Sequence, residues 1–588
     1  MEDYDAGPHV GPPNEPQDRA VYHDESSLGD DQLDAFGTSG ENSGKVLHVD
    51  REHRHGKRHD AAASTTSAAT SRRKPGSAKP ILPRRQSTSL ALRAVTTQPG
   101  GRFDSFNTLP SGADGGDLVA RLVLHAHHQV YSNFFVGEAA ETSVLPYTKH
   151  ALHHEHAYWG AAWFSATSRR WLAGGSLQHT PQEMFFYSKS LESLRRALDD
   201  SSLATHESTI STILHLSFPP YLPLIDRSIP CPRQSNFKTW NLLHLATGLN
   251  VAEEHMIGLA TIVRLLGGVH NIKSAQIRRS VCFQGIHFSG RHLRAPLFPF
   301  ASLHPIEHLV QGNRLLRFQT GFEYTQSSTP QIRGTGFHDV TFPETPSDSP
   351  QPSVVWGYLA DMTSISDDYA SGGSIIRYAS LILDQMQLTQ HSLLSLPPAA
   401  DLNNQYKQEK EELQDIAQED NVSGPSTSQL RFELQLQIYE VTRLAAICYA
   451  NCVTYPTDYS TFPRMRLARR LLLELQKLND TTDILVQLTT QEIRLVFWAT
   501  VLGAIMAVGH ETEREAFVTL VGRAAADANV SSWLEAKEIM ESFLWHAQTG
   551  DADALKLWIE VQNTVGRRSV RRQPSLPTRG LGTRLAKG

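Results

Sequence analysis

The chain has 588 residues, 40% of them hydrophobic and 20% charged, with a formal net charge of −6. That composition fits a globular protein with long polar stretches and excludes collagen-like or disulfide-dense classes. The net charge conceals blocks: −10 over residues 1–50, +10 over 51–102 and +7 from 566 onward, which leaves −13 for the body between.

Residues 1–102 are rich in Ser, Thr, Gly, Pro and charge and poor in large aliphatics. They bury too little apolar surface to offset backbone entropy, so an acidic and then basic disordered arm is expected. The acidic start MEDYDAGPHV has no apolar segment behind it, and no secretory signal is expected. Arg72, Arg73 and Lys74, followed by Arg84 and Arg85, form two basic clusters suited to an import receptor or to nonspecific phosphate contact. Arg84-Arg85-Gln86-Ser87 also matches a basophilic kinase site, where phosphate on Ser87 would oppose either contact.

Helical periodicity begins in the next block, 103–323, the N-terminal part of a helical domain. DLVARLVLHAHHQVYSNFF and PQEMFFYSKSLESLRRALDD place apolar residues three and four apart, with Pro181 suited to a helix's first turn. HMIGLATIVRLLGG ends in Gly267-Gly268, a pair able to supply the left-handed C-cap. Between these, KHALHHEHAYWGAAWF (149–164) holds His150, His153, His154 and His156, and HAHH (125–128) lies just upstream. Two-point metal binding is open to such spacings, but HExxH and paired Glu-x-x-His motifs are missing. Leu152, Trp159 and Trp163, with His156 between them, read as a buried stripe that gives this helix a packing role. Exposed or core-edge histidines are therefore expected, with no metal.

Residues 324–352 read as a polar linker, 353–395 as a helical segment, and 396–428 as a second polar linker in which QEKEELQD is compatible with a short exposed helix. From 429 to 565 the helical pattern returns as the C-terminal part of the same domain. LVFWATVLGAIMAVG (495–509) is about five residues short of a bilayer span and reads as a buried core helix. Cys448 and Cys452, four apart on one helix, are expected as core thiols; with Cys231 and Cys282 they make no disulfide framework. Ser532 and Glu535 stand in capping-box register, ahead of a face of Trp533, Ala536, Met540, Phe543 and Leu544. From 566 to 588 a basic disordered tail is expected, with import candidates Arg567, Arg568, Arg571 and Arg572 and a kinase-type Ser569. The fold class is thus all-α, a large helical bundle or array between a disordered N-terminal arm and C-terminal tail. Walker A, GxSxG and GxGxxG patterns are missing, so no catalytic residue, cofactor or enzymatic activity is expected.

Several stretches in order resemble the helical regulatory region of the fungal-specific transcription factors, in the branch called tachykinin-family proteins. GRFDSFNTLP (101–110) is similar to that branch's entry motif, and FFYSKSLESLRRALDD with STISTILHLS to its Tyr-bearing and Leu-rich helices. EEHMIGLATIVRLLGGVHNI resembles its His-x-x-Gly-Leu helix. RLVFWATVLGAIMAVGHETEREAFVTLVG and SSWLEAKEIMESFLWHAQTGDADALKLWIEV parallel its closing helices. The likeness spans roughly 101–565, with gaps at the two polar linkers. Typical members read DNA with a six-cysteine zinc cluster, and no cysteine precedes Cys231 here. The resemblance therefore implies a nuclear regulatory protein without that module, contacting DNA only nonspecifically and working through the transcription machinery, import receptors or an effector. The alternative is a cytoplasmic helical scaffold for acidic partners. No membrane association is expected.

Overall fold

The computed structural model describes residues 121–123, 125–131, 140–173, 178–220, 230–243, 251–310, 333–370, 378–417, 427–457, 461–480 and 488–572. The expected arm, 1–102, lies outside them. Sixteen α-helices and no strand occur among the described residues, and the all-α reading holds.

The N-terminal half opens with a π-helical turn, Ala126–Tyr131, followed by α1 (Ala140–His153), α2 (Glu155–Leu172), α3 (Pro181–Asp199) and α4 (Glu207–Leu216). α2 is the centre: α1, α3 and α4 all pack on it. Its inner face is Tyr158, Ala162 and Trp163, and the surrounding cluster extends to Phe186, Ile210 and Phe218. α3 starts as its sequence suggests, with Pro181 in the first turn and Thr180 and Glu183 closing a reciprocal capping box. α5 (Glu253–Leu265) ends where the glycine pair demands: Gly267 and Gly268 take φ of 86° and 110°. Gly268 N–H bonds the Val263 carbonyl and Gly267 N–H that of Arg264, the Schellman pairing.

α6 (Ala275–His292) and the short α7 (Ile306–Val310) lead to the second half. There α8 (Pro352–Ala370), α9 (Ala379–Leu394), α10 (Ala399–Ala417), α11 (Thr427–Cys452), α12 (Thr461–Asp480), α13 (Thr490–Met506), α14 (Glu511–Asp527), α15 (Trp533–Ser542) and α16 (Ala547–Arg572) enclose a larger core. α13 is its axis, packed against α11, α12 and α14, with Leu495, Phe497, Trp498 and Ala504 fully buried. The apolar run is a core helix, and no helix among the described residues is long and apolar enough to cross a membrane. Gly503 lets α14 come close: a Cβ at this position would overlap the Phe517 ring.

One buried ion pair ties the halves together. Arg279 Nε on α6 donates to Asp384 Oδ1 on α9 at 2.7 Å, with side chains 3% and 0% exposed. The second oxygen accepts from the Leu303 and His304 amides at 2.8 and 3.1 Å and meets His304 Nδ1 at 2.8 Å. Burial pushes the Asp384 carboxyl up, but Arg279 and His304 outweigh it and hold the group below its ordinary value.

Four boundaries differ from the sequence reading. The described part of the first polar linker, from Arg333 onward, is packed: Phe337 and Val340 are buried in the C-terminal core and Gly334 N–H bonds the Phe543 carbonyl at 2.6 Å. The second linker is mostly α10, seated through Leu402 against Leu436 and Tyr439 of α11. α15 stops at Ser542, so Phe543 and Leu544 reach the core from the turn after it. Finally, α16 runs to Arg572, past the expected tail start at 566; the first strong breaker is Pro574, which disfavours helix at Gln573.

Candidate functional site

The histidine-rich segment is not one helix. α1 ends at His153 and α2 begins at Glu155, with His154 extended between them at φ −130° and ψ 123°. Leu152 consequently faces out, 44% exposed, whereas Trp159 and Trp163 are buried as expected. His153 is exposed, and a residue the sequence did not flag, His206, takes its place in the group. The His154 and His206 rings lie 4.8 Å apart, His154 and His156 5.5 Å, and His150 and His206 5.6 Å. Ser208 joins the set: its Oγ is 2.9 Å from His156 Nε2 and 2.8 Å from His206 Nδ1, and its N–H donates to that same Nδ1. His206 thereby N-caps α4 through its Nδ1.

His150 and His156 are buried, against the expectation of exposed or core-edge histidines, because the His154 break turns them inward, and burial favours their neutral form. His150 is pushed down to about 4 by desolvation, and then by His206, His154, Lys149 and His156; His156 falls to about 4 by desolvation, and then by His154 and His206. His154 is lowered too. Among the described residues no group of three His, Cys, Asp or Glu side chains is placed to hold a metal ion. The rings meet by faces and edges, and two of their nitrogens are committed to Ser208.

A large concavity lies elsewhere, in the C-terminal half. It is a cleft of about 960 Å³, within the range that takes a small ligand or a short stretch of a partner. One wall is the strap Arg333–Asp339, fixed by Gly334 N–H on Phe543 O and by Gln491 Nε2 donating to Gly336 O at 2.9 Å. Gly334 sits at φ 80°, where glycine is favoured. The facing wall is the outer side of α15 with Glu535, Glu538 and Glu541, together with the Ala528–Val530 turn. Arg333 binds Asp367 at 2.7 Å, and Asp367 also meets His546 Nε2 at 3.1 Å. Five carboxylates (Asp339, Asp367, Glu535, Glu538 and Glu541) face two arginines (Arg333 and Arg494), so the lining carries a net −3. Arg494 and Glu538 are exposed and make no ion pair among the described residues. Such a surface selects for cationic groups and steers them in.

The sequence did not mark this cleft, because its residues come from stretches spread between 333 and 542 with no shared motif. The import candidates Arg72, Arg73, Lys74, Arg84 and Arg85, and Ser87, lie outside the described residues. Arg567, Arg568, Ser569, Arg571 and Arg572 fall on the last turns of α16, remote in sequence from both sites. Cys448 and Cys452 are buried thiols as expected, with desolvation raising Cys448 well above its usual range and Cys452 up to about 12.

Comparison with protein-family models, curated proteins and solved structures finds no match. What the fold and its surfaces define is a class: an all-α protein of two packed helical halves with an acidic cleft in the second.

Proposed function

We propose that the chain is a nuclear regulatory protein of the fungal transcription-factor type, with no zinc-cluster module in this sequence, that acts through a partner or effector seated in the C-terminal cleft. The observation that carries this reading is the cleft itself: about 960 Å³ in volume, its lining carrying a net −3, suited to a cationic ligand or a basic segment of a partner. Two further points support it. The stretch that resembles the regulatory region, 101–565, implies packed helices throughout, and basic clusters stand on both sides of it in the sequence.

The import part is tested with a fluorescent fusion of the full chain carrying alanine at Arg72, Arg73, Lys74, Arg84 and Arg85, at Arg567, Arg568, Arg571 and Arg572, or at both sets. The combined variant is expected to lose nuclear accumulation several-fold, since import receptors read clustered basic side chains. Nuclear levels equal to those of the unaltered chain would overturn this part of the reading.

A further inference from the structure

A second, much smaller cavity lies at the end of α11. Residues 230–235 run across it, pinned by Ser235 N–H on the Cys452 carbonyl at 2.9 Å and Ser235 Oγ on Val453 O at 2.6 Å. Arg464 of α12 holds the other end, donating from Nη1 to Pro230 O at 2.9 Å. The enclosed space is about 10 Å³, room for one water-sized atom, and Cys231, Asn451, Cys452, Thr457 and Arg464 line it. Cys231 is exposed and Cys452 buried.

The lining also holds polar atoms that lack a partner. Asn451 Oδ1, Thr457 Oγ1 and Arg464 Nε are buried without a hydrogen-bond partner, on residues 4%, 5% and 3% exposed. A buried polar group left unmet destabilises the fold. Two of the three, the Arg464 Nε–H and the Thr457 hydroxyl, can donate; Asn451 Oδ1 accepts. A single O–H group that accepts twice and donates once satisfies all three. A sulfenic acid has that group, and Cys231 lines the same cavity.

We propose that Cys231 is a hydroperoxide-modified thiol whose sulfenic oxygen is received by this cavity. The Cys231 thiolate attacks one oxygen of a hydroperoxide, a new S–O bond forms, and the O–O bond breaks. Sulfur loses two electrons, and the departing hydroxide or alkoxide takes a proton from solvent to leave water or an alcohol. The resulting oxygen accepts from Arg464 Nε–H and Thr457 Oγ–H and donates to Asn451 Oδ1. Arg464 serves both stages, because its positive charge beside the sulfur also favours the thiolate that reacts. Its guanidinium is coupled to both Cys231 and Cys452. Cys452, held protonated by burial and 3.7 Å from Met506 Sδ, is a poor resolving thiol, so the oxidation stops at the sulfenic acid.

The test uses the full-length reduced protein, stoichiometric hydrogen peroxide, trapping with dimedone and peptide mapping by mass. The adduct is expected on Cys231, with Cys282, Cys448 and Cys452 unlabelled. Arg464→Gln should slow both peroxide oxidation and iodoacetamide alkylation of Cys231 at least several-fold. Thr457→Val should leave alkylation unchanged but shorten the lifetime of the sulfenic acid toward overoxidation, an outcome a purely structural threonine would not give. Because Arg464→Gln can misfold, the unaltered protein supplies an independent readout. Its Cys231 should alkylate with a half-maximal pH below the ordinary thiol value of about 8.5. An ordinary thiol profile, a disulfide between Cys231 and Cys452, or no adduct on Cys231 would each overturn the proposal.

Discussion

Acidifying the protein from pH 7 to pH 5 is expected to cost several kcal/mol of unfolding free energy, a large share of what holds a domain together. Four buried imidazoles are responsible. Desolvation holds His150 and His156 at about 4 and His215 and His287 at about 3, against 6.5 for an unburied ring. The folded state therefore binds fewer protons than the unfolded chain once the pH falls below 6.5. Their contribution is complete above that pH and is lost as pH falls toward 4 and then 3. At pH 5 the unfolded chain gains about 2 kcal/mol per histidine from protonation that the fold denies it. Thermal unfolding followed by circular dichroism at pH 7, 6 and 5 gives the slope. His287→Phe should flatten it by about one histidine's share. The two ring nitrogens of His287 have no partner to lose, and the ring already meets Phe283 edge-on and Tyr455 at a tilt. Equal stability at pH 7 and pH 5 would contradict the burial of these rings.

The second large effect is at the tie between the two halves. Asp384→Ala should destabilise the protein by about 3–5 kcal/mol, because it leaves the Arg279 guanidinium buried without its counter-charge. It also strips an acceptor from two backbone amides and His304. Replacing both charges, Arg279→Met with Asp384→Leu, should recover part of that loss, since an apolar pair carries no unpaired charge. Denaturant melts of the two variants beside the unaltered chain decide the matter. A single-variant loss under about 1 kcal/mol would mean that water reaches the pair and screens it.

Local signals were the legible ones. The Gly267-Gly268 stop, the Pro181 start, the Ser532–Glu535 capping box and the core run of α13 are each set by a few neighbouring residues, and each is found where the sequence put it. What escaped depends on partners distant in the chain. A polar composition over 333–352 gave no hint that Phe337 would lodge between Trp356, Trp498 and Phe543, because that niche is built by α8, α13 and the turn after α15. The run HALHHEHAYWG satisfies helical spacing throughout, yet it breaks at His154, where the chain passes His206 of the α3–α4 connection. His206 itself is fifty residues from the histidines it joins. The cleft has no sequence signature because its charge is the sum of side chains from an ordered strap, three helices and a turn.

The most direct test of the central claim is chromatin recovery of the full chain in cells, beside a variant with Glu538→Lys and Glu541→Lys on the outer wall of the cleft. Both glutamates are exposed, so the fold should survive, which a thermal melt checks. The account predicts discrete chromatin sites for the unaltered chain and their loss in the variant, since association runs through a cationic partner at that wall. Sites that persist unchanged in the folded variant, or no chromatin association by the unaltered chain, would contradict it.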